Sequence, residues 1–309
     1  MNTGSDGADR IAARVLLLGA SGRLGGALAE ALTHAGFDVV APSREALALD
    51  PLAPAVAVER QIARARPAFV VNGIAISDVD RCELEPALAR SINTALPTAL
   101  AHAAVDADAR LVHFSSDFVF DGTLRRPYRE DDAARPLSVY GHTKLDGERA
   151  IARAGCRHWI FRVSWLYGSA HRNLAADLLD PANAGRVFRL ATDRVGVPNP
   201  VQLLAAEVAA CLARERDAGR DMPAVRCGVY HLSCHGATTW HAFGHAFLRA
   251  ATRAGRLHAG QAPRIEAVEE SSLARTAPRP LWSALDPARY ERCFGRKMPG
   301  WEEAIAAVV

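Results

Sequence analysis

Nowhere in its 309 residues does the sequence hold an apolar run approaching the roughly 20 residues that a helix needs to cross a bilayer. A membrane-spanning role is excluded on that ground. There is also no cysteine pair at Cys-x-x-Cys spacing: Cys82, Cys156, Cys211, Cys227, Cys234 and Cys293 occur singly, in a chain too large to need covalent staples. They read as thiols of a reducing compartment, so a cytoplasmic protein is expected. Nor does one charge dominate. The net charge is +3, and acidic and basic residues interleave in stretches such as 207–220, as on a solvated helix face. A nucleic-acid partner is not expected. No Gly-x-Ser-x-Gly elbow suggests a hydrolase, and no His-Glu-x-x-His pair suggests a zinc enzyme. His231, Cys234, His235, His241 and His245 fall close together, but such short spacings arise readily without a metal. No metal is predicted.

Hydrophobic residues make up 50% of the chain and charged residues 23%, an ordinary globular balance that allows one large or two joined domains. Residues 1–10, rich in Gly, Asp and Ser, are expected to be disordered, and the apolar run 15–18 is too short for a signal peptide's core. That run ends in a glycine turn and is followed by Leu24, Leu28 and Leu32 at helical spacing. Strands at 37–40, 68–71, 111–114 and 159–163 alternate with helices at 55–66, 84–104 and 140–154. The pattern predicts an α/β fold of Rossmann type, a doubly wound parallel sheet. Beyond Tyr167 it loosens, with helices at 174–179 and 201–214, strands at 186–191 and 228–232, and many prolines. We expect a cofactor domain from 11–165 and 186–220, and a smaller C-terminal α/β substrate lobe from 166–185 and 221–309.

The turn Gly19-Ala20-Ser21-Gly22-Arg23-Leu24-Gly25 stands between the first strand and its helix, where a pyrophosphate approaches the backbone closely and the helix start offers free N–H groups. After the second strand come Ser43 and Arg44 rather than an acidic residue, which favours NADPH over NADH, although Arg44 also reads as a solvated loop residue. Tyr140 and Lys144 lie four apart at a helix start and so share one face. A lysine cation should lower the phenol's pKa from about 10 and make Tyr140 a usable general acid. Ser116 follows a strand at the carboxyl edge of the sheet, where it could donate to a substrate carbonyl. Taken singly, each of these residues is more readily structural than catalytic; their order along the chain changes the balance.

That combination resembles the extended short-chain dehydrogenases and, within them, the dTDP-4-dehydrorhamnose reductase family. The resemblance runs through residues 71–80 (VNGIAISDVD), 115–122 (SSDFVFDG), 140–148 (YGHTKLDGE), 161–168 (FRVSWLYG), 228–232 (GVYHL) and 277–283 (APRPLWS). It implies an NADPH-dependent reduction of the 4-keto group of a nucleotide-linked deoxysugar, with NADH as a second choice of cofactor. Tyr140 would be the acid, Lys144 would hold the nicotinamide ribose, and Ser116 would stand where the family has threonine. By the same resemblance Gly22, Arg23 and Leu24 line the pyrophosphate, Asp50 approaches the adenine side, and Ala75, Ile76 and Ser77 flank the ribose. Asp117 and Trp165 would face the sugar and Arg279 the diphosphate. Ile76 and Phe118 depart from the family pattern beside the expected sugar pocket. Ala27 replaces a glutamate with which some members bridge a dimer through a metal; a homodimer stays open. A 4-ketoreductase for another nucleotide deoxysugar and a non-catalytic NADP-binding subunit of the same fold are the alternatives.

Overall fold

Strands made only of apolar residues have no face to give to water, and Val15, Leu16, Leu17 and Leu18 are all fully buried. They form β1 (Arg14–Leu18) in a computed structural model that describes residues 13–50, 53–168, 173–218, 225–258, 260, 262–306 and 308–309. The expected disorder of residues 1–10 lies outside the described residues. The chain continues through α1 (Arg23–His34), β2 (Asp38–Val40), α2 (Arg44–Leu47), α3 (Pro54–Ala65) and β3 (Phe69–Asn72). Then come α4 (Val79–Leu84), α5 (Pro86–Arg90), α6 (Leu96–Asp106), β4 (Arg110–Ser116), α7 (Val139–Ala154) and β5 (His158–Val163). Short strands β6 (Leu166–Tyr167), β7 (Val187–Ala191), β8 (Val195–Gly196) and β9 (Asn199–Pro200) follow, with α8 (Leu174–Leu179) after the first of them. The last elements are α9 (Val201–Asp217), β10 (Gly228–His231), β11 (Thr238–Thr239), α10 (Trp240–Arg253), β12 (Arg264–Val268), α11 (Ala288–Phe294) and α12 (Trp301–Ala306).

Six strands make one parallel sheet in the order β10-β5-β4-β3-β1-β2. Leu24, Leu28 and Leu32 of α1 and Val201, Leu204 and Val208 of α9 cover one face. Val58 and Ile62 of α3, Leu96 and Leu100 of α6 and Ile151 of α7 cover the other. The doubly wound expectation holds. Because β1 has β2 on one side and β3 on the other, the strand order reverses at β1, and the crevice opens at the carboxyl ends of β1 and β3. The glycine turn sits there.

Three readings need correction. The single helix expected over 84–104 is broken: α4 ends at Leu84 and Pro86, which has no N–H to continue it, starts α5, while a π-turn at Ser91–Ala95 joins α5 to α6. Val187–Ala191, expected in the cofactor domain, pairs with β12 in a separate two-stranded sheet. Gly228–His231, expected in the substrate lobe, joins the main sheet beside β5, because α9 packs on α1 and returns the chain parallel to that strand. Among the described residues no helix is long and apolar enough to cross a membrane.

Candidate active site

Two hollows open at the carboxyl edge of the sheet and share Arg23, Ser77, Tyr140, Val163 and Leu166. The first, about 310 Å³, runs from Gly22, Leu24 and Gly25 past Gly73 and Ala75 to Lys144. The second, about 600 Å³, lies between the sheet and the C-terminal lobe. Tyr140 stands where they meet.

Local sequence builds the first hollow. A side chain at Gly25 would overlap the Gly19 carbonyl, so only glycine lets α1 start this close to the strand it follows. The Arg23 guanidinium donates to the Leu166 carbonyl at 2.9 Å, tying α1 to β6. Ile76 is held through its backbone: its N–H donates to Asn93 Oδ1 at 2.9 Å and its carbonyl accepts from Asn93 Nδ2 at 3.0 Å. Asn93 belongs to the π-turn, and nothing in the spacing of its neighbours announced it. Gly19 and Ser21 belong to the turn, outside the residues that line the hollow. Ser43 caps α2 by accepting from the Ala46 N–H, and Arg44 is exposed beside it. Asp50 is exposed and lines a separate hollow with Ala53 and Arg60.

The reacting groups come together through α7. Its first turn is capped by Ser138, which accepts from the Gly141 N–H. A side chain at Gly141 would overlap the Phe118 carbonyl, so glycine again permits the approach that brings Tyr140 against the loop after β4. The Tyr140 ring meets Phe118 edge-on at 5.5 Å. Burial pushes the Tyr140 phenol up, and a hydrogen bond with Ser116 offsets only part of that. This reverses the expectation that Lys144 lowers it: Lys144 Nζ is drawn instead to the Phe114 carbonyl, at 2.6 Å, and to His113 Nε2, at 3.3 Å. The phenol therefore keeps its proton at neutral pH. Burial takes Lys144 down to about 8.

Ser116 donates to Asp117 at 2.9 Å and accepts from the Phe118 N–H. Asp117 is itself buried and also accepts from Ser164 at 2.9 Å and Ser283 at 2.6 Å, and burial raises its pKa against those bonds. Trp165 lies face to face with Trp240, ring centres 3.9 Å apart, and carries a left-handed backbone at φ 32°, a strained conformation of the kind found at ligand clamps. Arg194 lies over Phe118 at 5.4 Å and Trp165 at 6.0 Å, with Glu270 at 3.6 Å. Arg279 lines the same cavity but is engaged by Asp80 through two bonds of 3.0 and 2.9 Å. Asp80 also accepts the N–H groups of Thr276 and Ala277, and the guanidinium holds its carboxyl down to about 2. Ser164, Arg194, Trp240, Glu270 and Ser283 escaped the sequence reading, since each reaches the site by a long-range contact. His231, by contrast, lies buried against the Tyr128 carbonyl, and His235 bonds to Glu291.

A family model described as RmlD substrate binding domain matches residues 13–309. The chain is 34% identical to a dTDP-4-dehydrorhamnose reductase of Salmonella typhimurium, over 94% of this chain and 95% of that one. It is 36% identical to one of Streptomyces griseus, over 94% and 91% respectively. Among solved structures it resembles the dTDP-4-dehydrorhamnose reductase of Bacillus anthracis in complex with NADP, with a TM-score of 0.83, 26% identity and coverage of 96% of this chain and 98% of that one.

Proposed function

The chain belongs to the dTDP-4-dehydrorhamnose reductase family, and from that premise we propose that it reduces the 4-keto group of a nucleotide-linked deoxysugar, dTDP-4-dehydro-L-rhamnose, to give dTDP-L-rhamnose. The observation that carries this reading is the meeting of the two hollows at Tyr140. The first hollow suits a dinucleotide: its glycines leave room where side chains would overlap backbone, and it ends at Lys144. Gly22, Arg23 and Leu24 would hold the pyrophosphate, Ala75, Ile76 and Ser77 the ribose next to the nicotinamide, and Ser43 and Arg44 the 2′-phosphate. NADPH supplies the hydride when bound.

The protein's own residues supply the proton and the alignment. Tyr140, kept protonated by burial, gives its phenolic proton to the oxygen of the ketone as that oxygen gains charge. Ser116 lies beside it to donate to the same oxygen. Asp117 holds the Ser116 hydroxyl in place, and the Trp165 and Trp240 rings wall the cavity and keep water from the sugar. Arg279, fixed by Asp80, presents positive charge toward the diphosphate. A nucleotide-sugar substrate and NADPH go with a cytoplasmic location.

The test follows NADPH absorbance with dTDP-, UDP- and GDP-4-keto-6-deoxysugars. Oxidation with dTDP-4-dehydro-L-rhamnose ahead of the others is expected. Tight NADPH binding with no oxidation by any of them would overturn the reading.

A further inference from the structure

Three buried polar side chains, from β3, β4 and α7, form a chain behind the first hollow. Asn72, His113 and Lys144 are 1%, 1% and 2% exposed. The Asn72 carboxamide oxygen accepts the Ile74 N–H at 3.0 Å, which turns its amide nitrogen toward His113 Nδ1 at 3.1 Å. His113 Nε2 faces Lys144 Nζ at 3.3 Å, and Nζ also donates to the Phe114 carbonyl.

Donor and acceptor arithmetic fixes the rest. An amide NH₂ only donates, so Nδ1 must accept, and the single proton of a neutral imidazole then sits on Nε2. Burial and the neighbouring lysine hold His113 well below the usual histidine range, so the ring is neutral. Its Nε2–H points at Nζ. A neutral amine can accept that hydrogen bond while still donating to Phe114; an ammonium, which only donates, cannot.

We propose that Asn72 and His113 are a positioning pair for Lys144, holding Nζ at the Phe114 carbonyl and favouring its uncharged form by presenting a donor to it. The proposal rests on the reading of Lys144 as the residue that holds the nicotinamide ribose, a task for its ammonium. The pair thus sets the pH above which that ammonium is lost. The other titratable groups facing Lys144 do not decide the matter. Glu148, one turn along α7, is taken by Arg162 in a buried two-bond pair of 2.9 and 2.7 Å. Cys82 on α4 is pushed up to about 11, and Tyr140 is pushed up as well, so both are neutral near pH 8.

Asn72→Asp keeps an acceptor for Ile74 and offers Nδ1 an acceptor too, moving the ring proton to Nδ1 and turning the Nε2 lone pair toward an ammonium. His113→Asn removes the opposing donor altogether. NADPH binding, followed by nucleotide fluorescence from about pH 6 to 10, reads Lys144 directly, and kcat/KM over the same range reads it in turnover. For the wild type an alkaline limb near pH 8 is expected, from a lysine lowered to about 8. The limb should rise by about one pH unit in Asn72→Asp and also rise in His113→Asn. A limb that stays put in both variants, whether or not the plateau falls, assigns these residues a merely structural role and overturns the proposal. If Asn72→Asp does not fold, His113→Asn alone decides in the same way, and a wild-type binding curve flat across this range overturns it as well. Because binding needs no sugar, a failure of the keto-sugar panel counts against the proposed substrate and leaves this test standing.

Discussion

The first hollow takes its walls from residues that are neighbours in sequence, chiefly Gly22 to Gly25 and Asn72 to Ala75, whereas the second joins Asp80 to Arg279 across 199 positions. The first presents backbone and empty space; the second presents charged and aromatic side chains held by one another. One side of the cleft is therefore vulnerable to added volume and the other to lost charge, and Tyr140, on the border, answers to both.

The sharpest test of that border is Tyr140→Phe, which removes the proton but leaves the ring. It should lower kcat by about 10²- to 10⁴-fold while NADPH still binds. Turnover near the wild-type rate would break the assignment of the border residue itself. On the cofactor side, Gly25→Ala should destabilise the fold by about 3 kcal/mol in urea titrations and weaken NADPH binding with it. An alanine tolerated there would mean that space does not govern this side.

On the substrate side, Asp80→Asn tests charge with little change in shape. The Asp80 carboxyl is held down to about 2, so its contribution to stability is present above the ordinary carboxylate range and is lost as pH falls toward about 2. Thermal melts between about pH 5 and 2 should therefore fall less steeply for Asp80→Asn than for the wild type, and equal slopes would remove this pair from the ledger of charge-held contacts. The smallest effect is expected at exposed Arg44. Arg44→Ala should raise KM for NADPH about threefold, the scale of an exposed ion pair, without moving KM for NADH. An equal change for both nucleotides would separate Arg44 from the 2′-phosphate.

The sequence reading followed the same divide. Leu24, Leu28 and Leu32 and the apolar run of β1 are local patterns, and they appear in the structure as a buried helix face and a buried strand. The Tyr140 and Lys144 spacing is local too, and both residues line the first hollow. Misreadings came where a distant partner decided: β7 with β12, β10 beside β5, and Asp80 on Arg279. Asn93 shows the same limit, since a π-turn carries its carboxamide to the backbone of Ile76, 17 positions away.

Which elements form, where the chain must turn on glycine, and which hydroxyl, phenol and amine can share a site follow from residue order, because sterics and burial of apolar faces act over a few residues. The ionisation of those groups does not. The spacing of Tyr140 and Lys144 suggested a phenol lowered by a cation, yet burial raises it and the amine turns to Phe114 and His113. Desolvation depends on every atom packed around a group, and those atoms arrive from β4, α4 and α7 only when the chain has folded.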